Sequence, residues 1–468
     1  MATPNHYHTI SLGSGEAGRC ICWTLSSTLN VPTAVIESTY LCGSCPNIAC
    51  LPSKNFVYSA EIAHLAKKYT ATGLLKGDVK DVNMAAVLAR KNEMVKGLTK
   101  MHEDIFEKSD TELIMGRGRL IGGGIIEIDL KSGGKRIVTA DNIIICTGSR
   151  AKVDDTPGLK QAKPMTHIEI MDLHQVPEHL LILGGGYVGL EFAQAFRRFG
   201  AKVSVVERGG RILKIEDEDV SDALVEILKG EGVEFFTSFT VSSVTGISGR
   251  SVTLTGTRNG TAFELKGTHL LVASGRLPNT EDIGLEAAGV ELTSTGHIAV
   301  NEYLQTSIPE IFAGGDCAGS PHFTHMGYDD FRIVADFLLN KKPFRSTKSR
   351  QVPYTLYTNP ELAHVGLSEN AARKTGVKYR LAKIPMANFL RTRAMDATHG
   401  FAKALVSATD DTVLGFTALG DRAGELLPVV QLAMSAGLPY TSISSLIVTH
   451  PTLNEGLVDL FSSVLEGS

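Results

Sequence analysis

Two glycine-rich turns of one design constrain this chain more than any other feature. The segment Tyr7 to Glu37 holds a short apolar strand (Ile10, Leu12), the turn Gly13-Ser14-Gly15-Glu16-Ala17-Gly18, a helical stretch, and a strand Ala34-Val35-Ile36 ending in Glu37. The segment Leu180 to Glu207 repeats the plan with Gly184-Gly185-Gly186-Tyr187-Val188-Gly189, a helix to Phe199, and Val203-Ser204-Val205-Val206 before Glu207. One such turn is a weak signal. Two of them, each followed about 20 residues later by an acid, are a strong one. The first glycine (Gly13, Gly184) makes the tight turn, the second (Gly15, Gly186) lets backbone approach a pyrophosphate, and the third (Gly18, Gly189) lets helix pack on strand. The helix N-terminus then faces the negative charge, and the acids Glu37 and Glu207 stand where ribose hydroxyls bind. Two dinucleotide sites in one chain imply electron transfer between two dinucleotides, commonly FAD and NAD(P)H.

Elsewhere the pattern is coarser. Apolar residues at 3–4 spacing predict a helix over Asn83 to Lys108. A β-meander follows, with Ile125–Ile128 and Ile137-Val138 joined at Gly133-Gly134, and Ile143-Ile144-Ile145 reads as a further strand. Val252–Thr255 and His269–Val272 read as strands, and the chain from Pro353 onward as a separate domain of strands and helices. At roughly 150 residues per domain, 468 residues make about three domains. The fold class is α/β.

Net charge is −4, so nothing draws the chain to nucleic acid or an anionic membrane. No apolar run approaches the roughly 18–20 residues that span a bilayer. Met1 to Tyr7 carries neither a basic nor an apolar leader region, so the expected location is cytoplasmic. In that reducing compartment the seven cysteines, crowded toward the N-terminus (Cys20, Cys22, Cys42, Cys45, Cys50, with Cys146 and Cys317 beyond), favour catalysis or metal binding over structural bridges.

The most informative stretch is Cys42-Gly43-Ser44-Cys45-Pro46-Asn47-Ile48-Ala49-Cys50-Leu51-Pro52-Ser53-Lys54. It resembles the redox-active disulfide helix of glutathione reductase, lipoamide dehydrogenase and mercuric reductase, the class I pyridine nucleotide–disulfide oxidoreductases. That resemblance implies Cys45 as the interchange thiol, Cys50 as the charge-transfer thiol, and Lys54 near flavin N5, paired with Glu191. Thr147-Gly148 and the stretch Thr306 to Asp316 match the family's remaining FAD signatures. Ser44, Gly118 and Gly275 are carried over with them as cofactor-binding positions, and Tyr187 as an aromatic gate over the nicotinamide. Thr449-His450-Pro451-Thr452-Leu453-Asn454-Glu455 resembles the family signature in which the histidine is the acid/base and the glutamate orients it. In the family that histidine serves the partner subunit's site, so a homodimer is implied. The implied architecture is two Rossmann-like dinucleotide-binding domains plus a C-terminal α+β dimerisation domain: 1–151 for FAD, 152–277 for NAD(P)H, 278–349 completing the FAD site, and 350–468 for dimerisation.

Some positions depart from the family pattern. Cys42 and Ala49 replace glycines, Cys146 replaces an alanine, and Thr449 is unlike both main subfamilies. Cys42 has three readings: a small core residue, a third participating thiol, or a zinc ligand with Cys45 and Cys50. Zinc wants four ligands and none completes the set, so no metal site is assigned. Cys20, Cys22, Cys146 and Cys317 read as core residues.

The segment Ala436-Gly437-Leu438-Pro439-Tyr440 with Thr449-His450-Pro451 looks most like mercuric-reductase-like flavoproteins of the reactive-chlorine-resistance type. The implied substrate is a small oxidant: a disulfide, a soft metal ion, or a reactive chlorine or thiocyanate species. Dihydrolipoamide dehydrogenase is the alternative, and a silent flavin-binding scaffold a second. For the nicotinamide, Glu207 favours NADH, whereas Arg208, Arg211 and Lys214 favour NADPH unless they balance Glu216, Asp217, Glu218 and Asp219 on a solvated loop.

Overall fold

A computed structural model describes residues 5–77 and 81–464, so the expected lack of a leader over Met1 to Tyr7 falls partly outside them. Packing groups the chain into two compact units: residues 1–55, 85–152 and 275–350 form the first, and 56–84, 153–274 and 351–468 the second.

In the first unit, strand β1 (Asn5–Leu12) runs into the first glycine turn, then helix α1 (Glu16–Leu29) and strand β2 (Thr33–Glu37). Ala17, Ile21 and Leu25, four apart, put one face of α1 into the core together with Gly18 and Cys22. Helix α2 (Cys50–Ala71) begins in this unit at the second thiol, its residues from Phe56 on being grouped with the second unit, and helix α3 spans Met84–Lys108 as its 3–4 spacing predicts. Strands β3 (Thr111–Gly122), β4 (Ile125–Leu130) and β5 (Lys135–Ile145) complete most of a six-stranded sheet.

Two of these strands do double duty. The first half of β3 pairs with β2 in parallel, and its second half pairs antiparallel with β4. Strand β5 likewise leaves β4 and continues in parallel beside β1. The two separate strands expected at Ile137-Val138 and Ile143–Ile145 are therefore one. The strand Ile311–Ala313 adds to β5 on its other side.

The second unit repeats the design. Strand β6 (His179–Leu183), the helix Tyr187–Phe199, β7 (Lys202–Val206), β8 (Val233–Phe236) and β9 (His269–Val272) form a parallel sheet in the order β9-β6-β7-β8. The expected strand Val252–Thr255 is the middle of Ser251–Arg258, central to a three-stranded antiparallel layer. The C-terminal part is a five-stranded antiparallel sheet in the order Tyr354–Leu356, Glu361–Gly366, Val413–Gly420, Phe401–Ser407, Tyr379–Pro385. Among the described residues no helix is long and apolar enough to cross a membrane.

Candidate active site

The glycine turns have the geometry that two dinucleotides require. Gly13 has φ +100°, and a Cβ there would lie 2.3 Å from the Cys146 carbonyl oxygen; Gly184 has φ +112°, with the Ala273 oxygen at 2.5 Å. These are the tight turns. At the third glycines a Cβ would strike the turn itself, 2.5 Å from Gly13 O at Gly18 and 2.2 Å from Gly184 O at Gly189. The middle glycines differ: a Cβ on Gly15 finds nothing nearer than 3.7 Å, and one on Gly186 nothing within 4 Å. That cleared space above a helix N-terminus is what a pyrophosphate occupies. FAD and a nicotinamide dinucleotide therefore fit these residues.

Each terminal acid closes back on its own turn. Glu37 accepts hydrogen bonds from Ser14 N–H (3.0 Å) and Oγ–H (2.5 Å), and from Thr39 N–H (2.8 Å) and Tyr40 N–H (3.2 Å). Glu207 accepts from Gly185 N–H (3.0 Å) and Gly209 N–H (2.8 Å). Of the nearby cations, Arg211 is committed to Asp222 and Glu218, while Arg208 and Lys214 are exposed. Of the solvated, self-balanced loop that stood as the alternative to phosphate binding, only the Arg211–Glu218 part forms. Glu216 and Asp217 are buried, because their partners are Tyr187, Tyr354 and Lys403 instead of the loop's own cations.

The thiol segment is braced against the first glycine turn. A Cβ on Gly43 (φ +77°) would stand 3.0 Å from the Gly15 Cα, so only glycine lets the two turns meet without displacement. Ser14 Oγ accepts from Cys42 N–H at 2.7 Å, and Asn47 Nδ2 donates to the Leu41 and Gly43 carbonyls at 2.7 and 2.8 Å. The Ser44 carbonyl accepts from Ile48 and Ala49 N–H, both at 2.9 Å, and so holds the bend that turns Cys50 back toward Cys45.

Cys45 and Cys50 are free thiols hydrogen-bonded to each other, and their environments are unequal. The hydrogen bond from Cys45 is the largest cause holding the Cys50 thiol down, to about 6, against burial that works the other way; the Thr324 hydroxyl and the Lys54 charge add to it. Cys45, on the donor side of the same bond and half-buried, is pushed up. Cys50 is thus the stabilised thiolate of the pair. Sequence reasoning missed Thr324, whose Oγ1 lies 3.2 Å from Cys50 Sγ at the start of the helix Thr324–Leu338. A separation of 274 residues leaves no local signal for it.

The other FAD-signature residues gather in the same unit. Thr147 Oγ–H donates to the Asn279 carbonyl (2.6 Å), and Asn279 N–H returns a bond to the Gly148 carbonyl (2.9 Å). Asp316 accepts from Ser149 Oγ–H and lies 3.6 Å from Arg276 Nε. The turn presenting Asp316 is held by another residue absent from the sequence reading. Fully buried Asp330 accepts from Gly315 N–H (2.7 Å), Ser320 Oγ–H (2.7 Å) and Arg350 (2.5 Å). Gly275 has φ +133° and open space around it. Gly118 has a packing reason: inside β3, its Cβ would meet Leu12 Cδ2 at 2.7 Å.

In the second unit, His450 Nδ1 is hydrogen-bonded to both Glu455 oxygens, at 3.0 and 3.1 Å, while 63% of its side-chain surface is exposed. A carboxylate fixes the ring and leaves the imidazole open to solvent. Glu191, almost fully buried, accepts from Tyr357 N–H at 3.0 Å.

The remaining cysteines sort by burial. Cys42 is 1% exposed and packs with Cys22, Val35, Leu41 and Phe106; burial pushes its thiol up to about 12, which makes it a poor nucleophile. Cys22, Cys146 and Cys317 are buried as expected. Cys20 is not a core residue: it is half-buried, because its thiol turns toward Glu16.

The pyridine nucleotide-disulphide oxidoreductase family matches residues 7–330, and that family's dimerisation domain matches residues 352–461. The probable pyridine nucleotide-disulfide oxidoreductase RclA of Escherichia coli is 31% identical over 464 residues, covering 98% of this chain and all of its own. Dihydrolipoyl dehydrogenase 1, mitochondrial, of Arabidopsis thaliana is 31% identical over 452 residues, covering 96% of this chain and 88% of its own. Among solved structures, the Cu(II) complex of the HOCl-induced flavoprotein disulfide reductase RclA from Escherichia coli has a TM-score of 0.88 at 32% identity, covering 98% of this chain and 99% of that one.

Proposed function

We propose that this chain, which belongs to the pyridine nucleotide-disulphide oxidoreductase family, uses its Cys45–Cys50 pair to reduce a small oxidant. The acceptor is a soft metal ion such as Cu(II), a reactive chlorine or thiocyanate species, or a disulfide. The observation that carries this reading is the asymmetry of the pair, a stabilised Cys50 thiolate beside a proton-bearing Cys45. The similarity to a flavoprotein disulfide reductase solved as a Cu(II) complex supports the metal arm. The equal identity to a dihydrolipoyl dehydrogenase supports the alternative, which runs the same dithiol in the opposite direction.

FAD, when bound, supplies two electrons taken as hydride from NAD(P)H. The protein does the rest. The disulfide opens to a Cys45 thiol and a Cys50 thiolate, taking up one proton. His450, oriented by Glu455, accepts the Cys45 proton so that a thiolate meets the acceptor, and returns a proton to the leaving group. Re-forming the disulfide hands over both electrons, to two Cu(II) ions or to one two-electron oxidant.

Turnover of the holoenzyme with NADH and NADPH against Cu(II), Hg(II), hypothiocyanite and oxidised glutathione, and with NAD+ against dihydrolipoamide, tests the reading. A metal ion or hypothiocyanite should lead, and fastest turnover with dihydrolipoamide and NAD+ would replace the reading by its alternative. Both nucleotides should serve within about a hundredfold, under about 3 kcal/mol, with NADH ahead because Glu207 faces the ribose position and Arg211 is already paired. Glu207→Ala should move the kcat/KM ratio toward NADPH. Arg208→Ala should move it toward NADH, and Arg211→Ala should do less than either.

His450 completes the site of the partner subunit in this proposal, in keeping with its exposure in the single chain and with the dimerisation domain over residues 352–461. Inactive Cys45→Ser and inactive His450→Ala proteins, mixed under exchanging conditions, should recover part of the activity. In a mixed dimer one of the two sites is whole. Absence of rescue with exchange demonstrated would place both groups in one chain.

A further inference from the structure

Tyr187 opens the helix after the second glycine turn, and its hydroxyl donates to Glu216 Oε1 at 2.7 Å. The same oxygen accepts from the Tyr354 hydroxyl at 2.9 Å, and the two rings lie 5.6 Å apart at 35°. Tyr354 packs in turn on His364, 5.1 Å away, and His364 Nδ1 is hydrogen-bonded to Thr417 Oγ1 at 2.8 Å in the C-terminal sheet. Glu216 cannot follow a moving partner. It is 3% exposed, and its neighbour Asp217 accepts from Lys403 (2.8 Å) and from the Glu369 and Asn370 N–H groups (3.0 and 2.9 Å). Burial and the adjoining carboxylate hold both phenols above their ordinary value, so both stay O–H donors across the working pH range.

We propose that Glu216, backed by Tyr354, is a latch that holds Tyr187 in its seated position, making Glu216 a positioning residue for nicotinamide binding. The proposal rests on the reading of Tyr187 as the residue covering the nicotinamide subsite. A nucleotide that must lift Tyr187 competes with the hydrogen bond to Glu216. Its apparent affinity is therefore reduced by the fraction of protein in which the ring is free.

The test is calorimetric binding of NAD+ and NADP+ to the holoenzyme, with stopped-flow association rates beside it. Tyr187→Phe keeps the ring and removes only the latch, so both nucleotides should bind about three- to tenfold tighter, with the gain in the association rate. Glu216→Gln, whose amide oxygen still accepts but carries no charge, should produce a smaller gain, and none when added to Tyr187→Phe, because both changes act on the same hydrogen bond. Unchanged or weaker binding in Tyr187→Phe overturns the latch, and so does full additivity of the two substitutions. Tyr187→Ala separates the two failures. If it leaves both dissociation constants unchanged, the reading of Tyr187 as the cover fails; if it shifts them while Tyr187→Phe does not, only the latch fails.

Discussion

Cys45→Ser should lower turnover with any acceptor by about a thousandfold or more while the reduced-type long-wavelength thiolate–flavin absorbance persists, whereas Cys50→Ser should lose both. The difference follows from which sulfur is stabilised. Cys50 is held near 6 by a donor at Cys45, the Thr324 hydroxyl and the Lys54 charge. A serine at position 45 still donates, so Cys50 remains a thiolate, but no nucleophile is left to meet the acceptor. The band of the reduced wild type should fade as pH falls through about 6, where the Cys50 thiolate takes its proton. Cys45→Ala removes the largest of the stabilising contacts and should move that midpoint up furthest, and Thr324→Val should move it up by less. A band that survives Cys50→Ser and disappears in Cys45→Ser would reverse the assignment. If neither substitution matters, the electrons pass through Cys42.

Lys403→Met should destabilise the second unit by about 3–5 kcal/mol, because it removes the buried cation shared by three carboxylates. The Lys403 ammonium is fully buried and donates to Asp217 Oδ2 (2.8 Å), Asp219 Oδ1 (2.8 Å) and Glu369 Oε1 (2.9 Å). Burial works against the charge on Asp217 and Asp219, but hydrogen bonds, from Lys403 to both and from Lys383 to Asp219, outweigh it and hold both carboxyls below their usual range. Carboxyls depressed in the folded state contribute stability above their unfolded value of about 4, which is lost as pH falls through the folded one. In Lys403→Met the sign inverts. Like-charged carboxylates would prefer the folded state protonated, so the deficit should be largest at neutral pH and shrink toward pH 4–5. Urea unfolding of wild type and variant at pH 7.5 and 5 measures this. A deficit that does not vary with pH would mean that lost packing of the lysine stem, and not charge, is responsible.

How far the sequence could be read depended on how local each cause is. Strand, turn, helix and terminal acid follow one another within about 20 residues, so both dinucleotide units are legible, down to the tight turn at Gly13 and the close packing at Gly18. Strand β3 was not legible. Gly116 and Gly118 interrupt its β-forming pattern and are there because a Cβ would strike Asp129 O or Leu12 Cδ2. Strand β5 was read as two pieces because its partner changes from β4 to β1 partway along, which alternation cannot reveal. For Glu216 and Asp217 the sequence left open a solvated loop beside their own cations; their burial depends on partners up to 186 residues away.

The resemblance to the family supplied the pairing of His450 with Glu455; the sequence by itself determined the two glycine turns and the five-residue spacing of Cys45 and Cys50. Each is set by covalent proximity, φ restriction or helix geometry acting within a few residues. Tertiary structure alone decided what adds to the stabilisation of Cys50, through Thr324; what steadies the Asp316 turn, through Asp330; and what holds Tyr187, through Glu216 and Tyr354. Those choices are made by hydrogen bonds between segments that meet only after the sheets have formed. A buried polar group is strongly favoured only where such a partner is already in place.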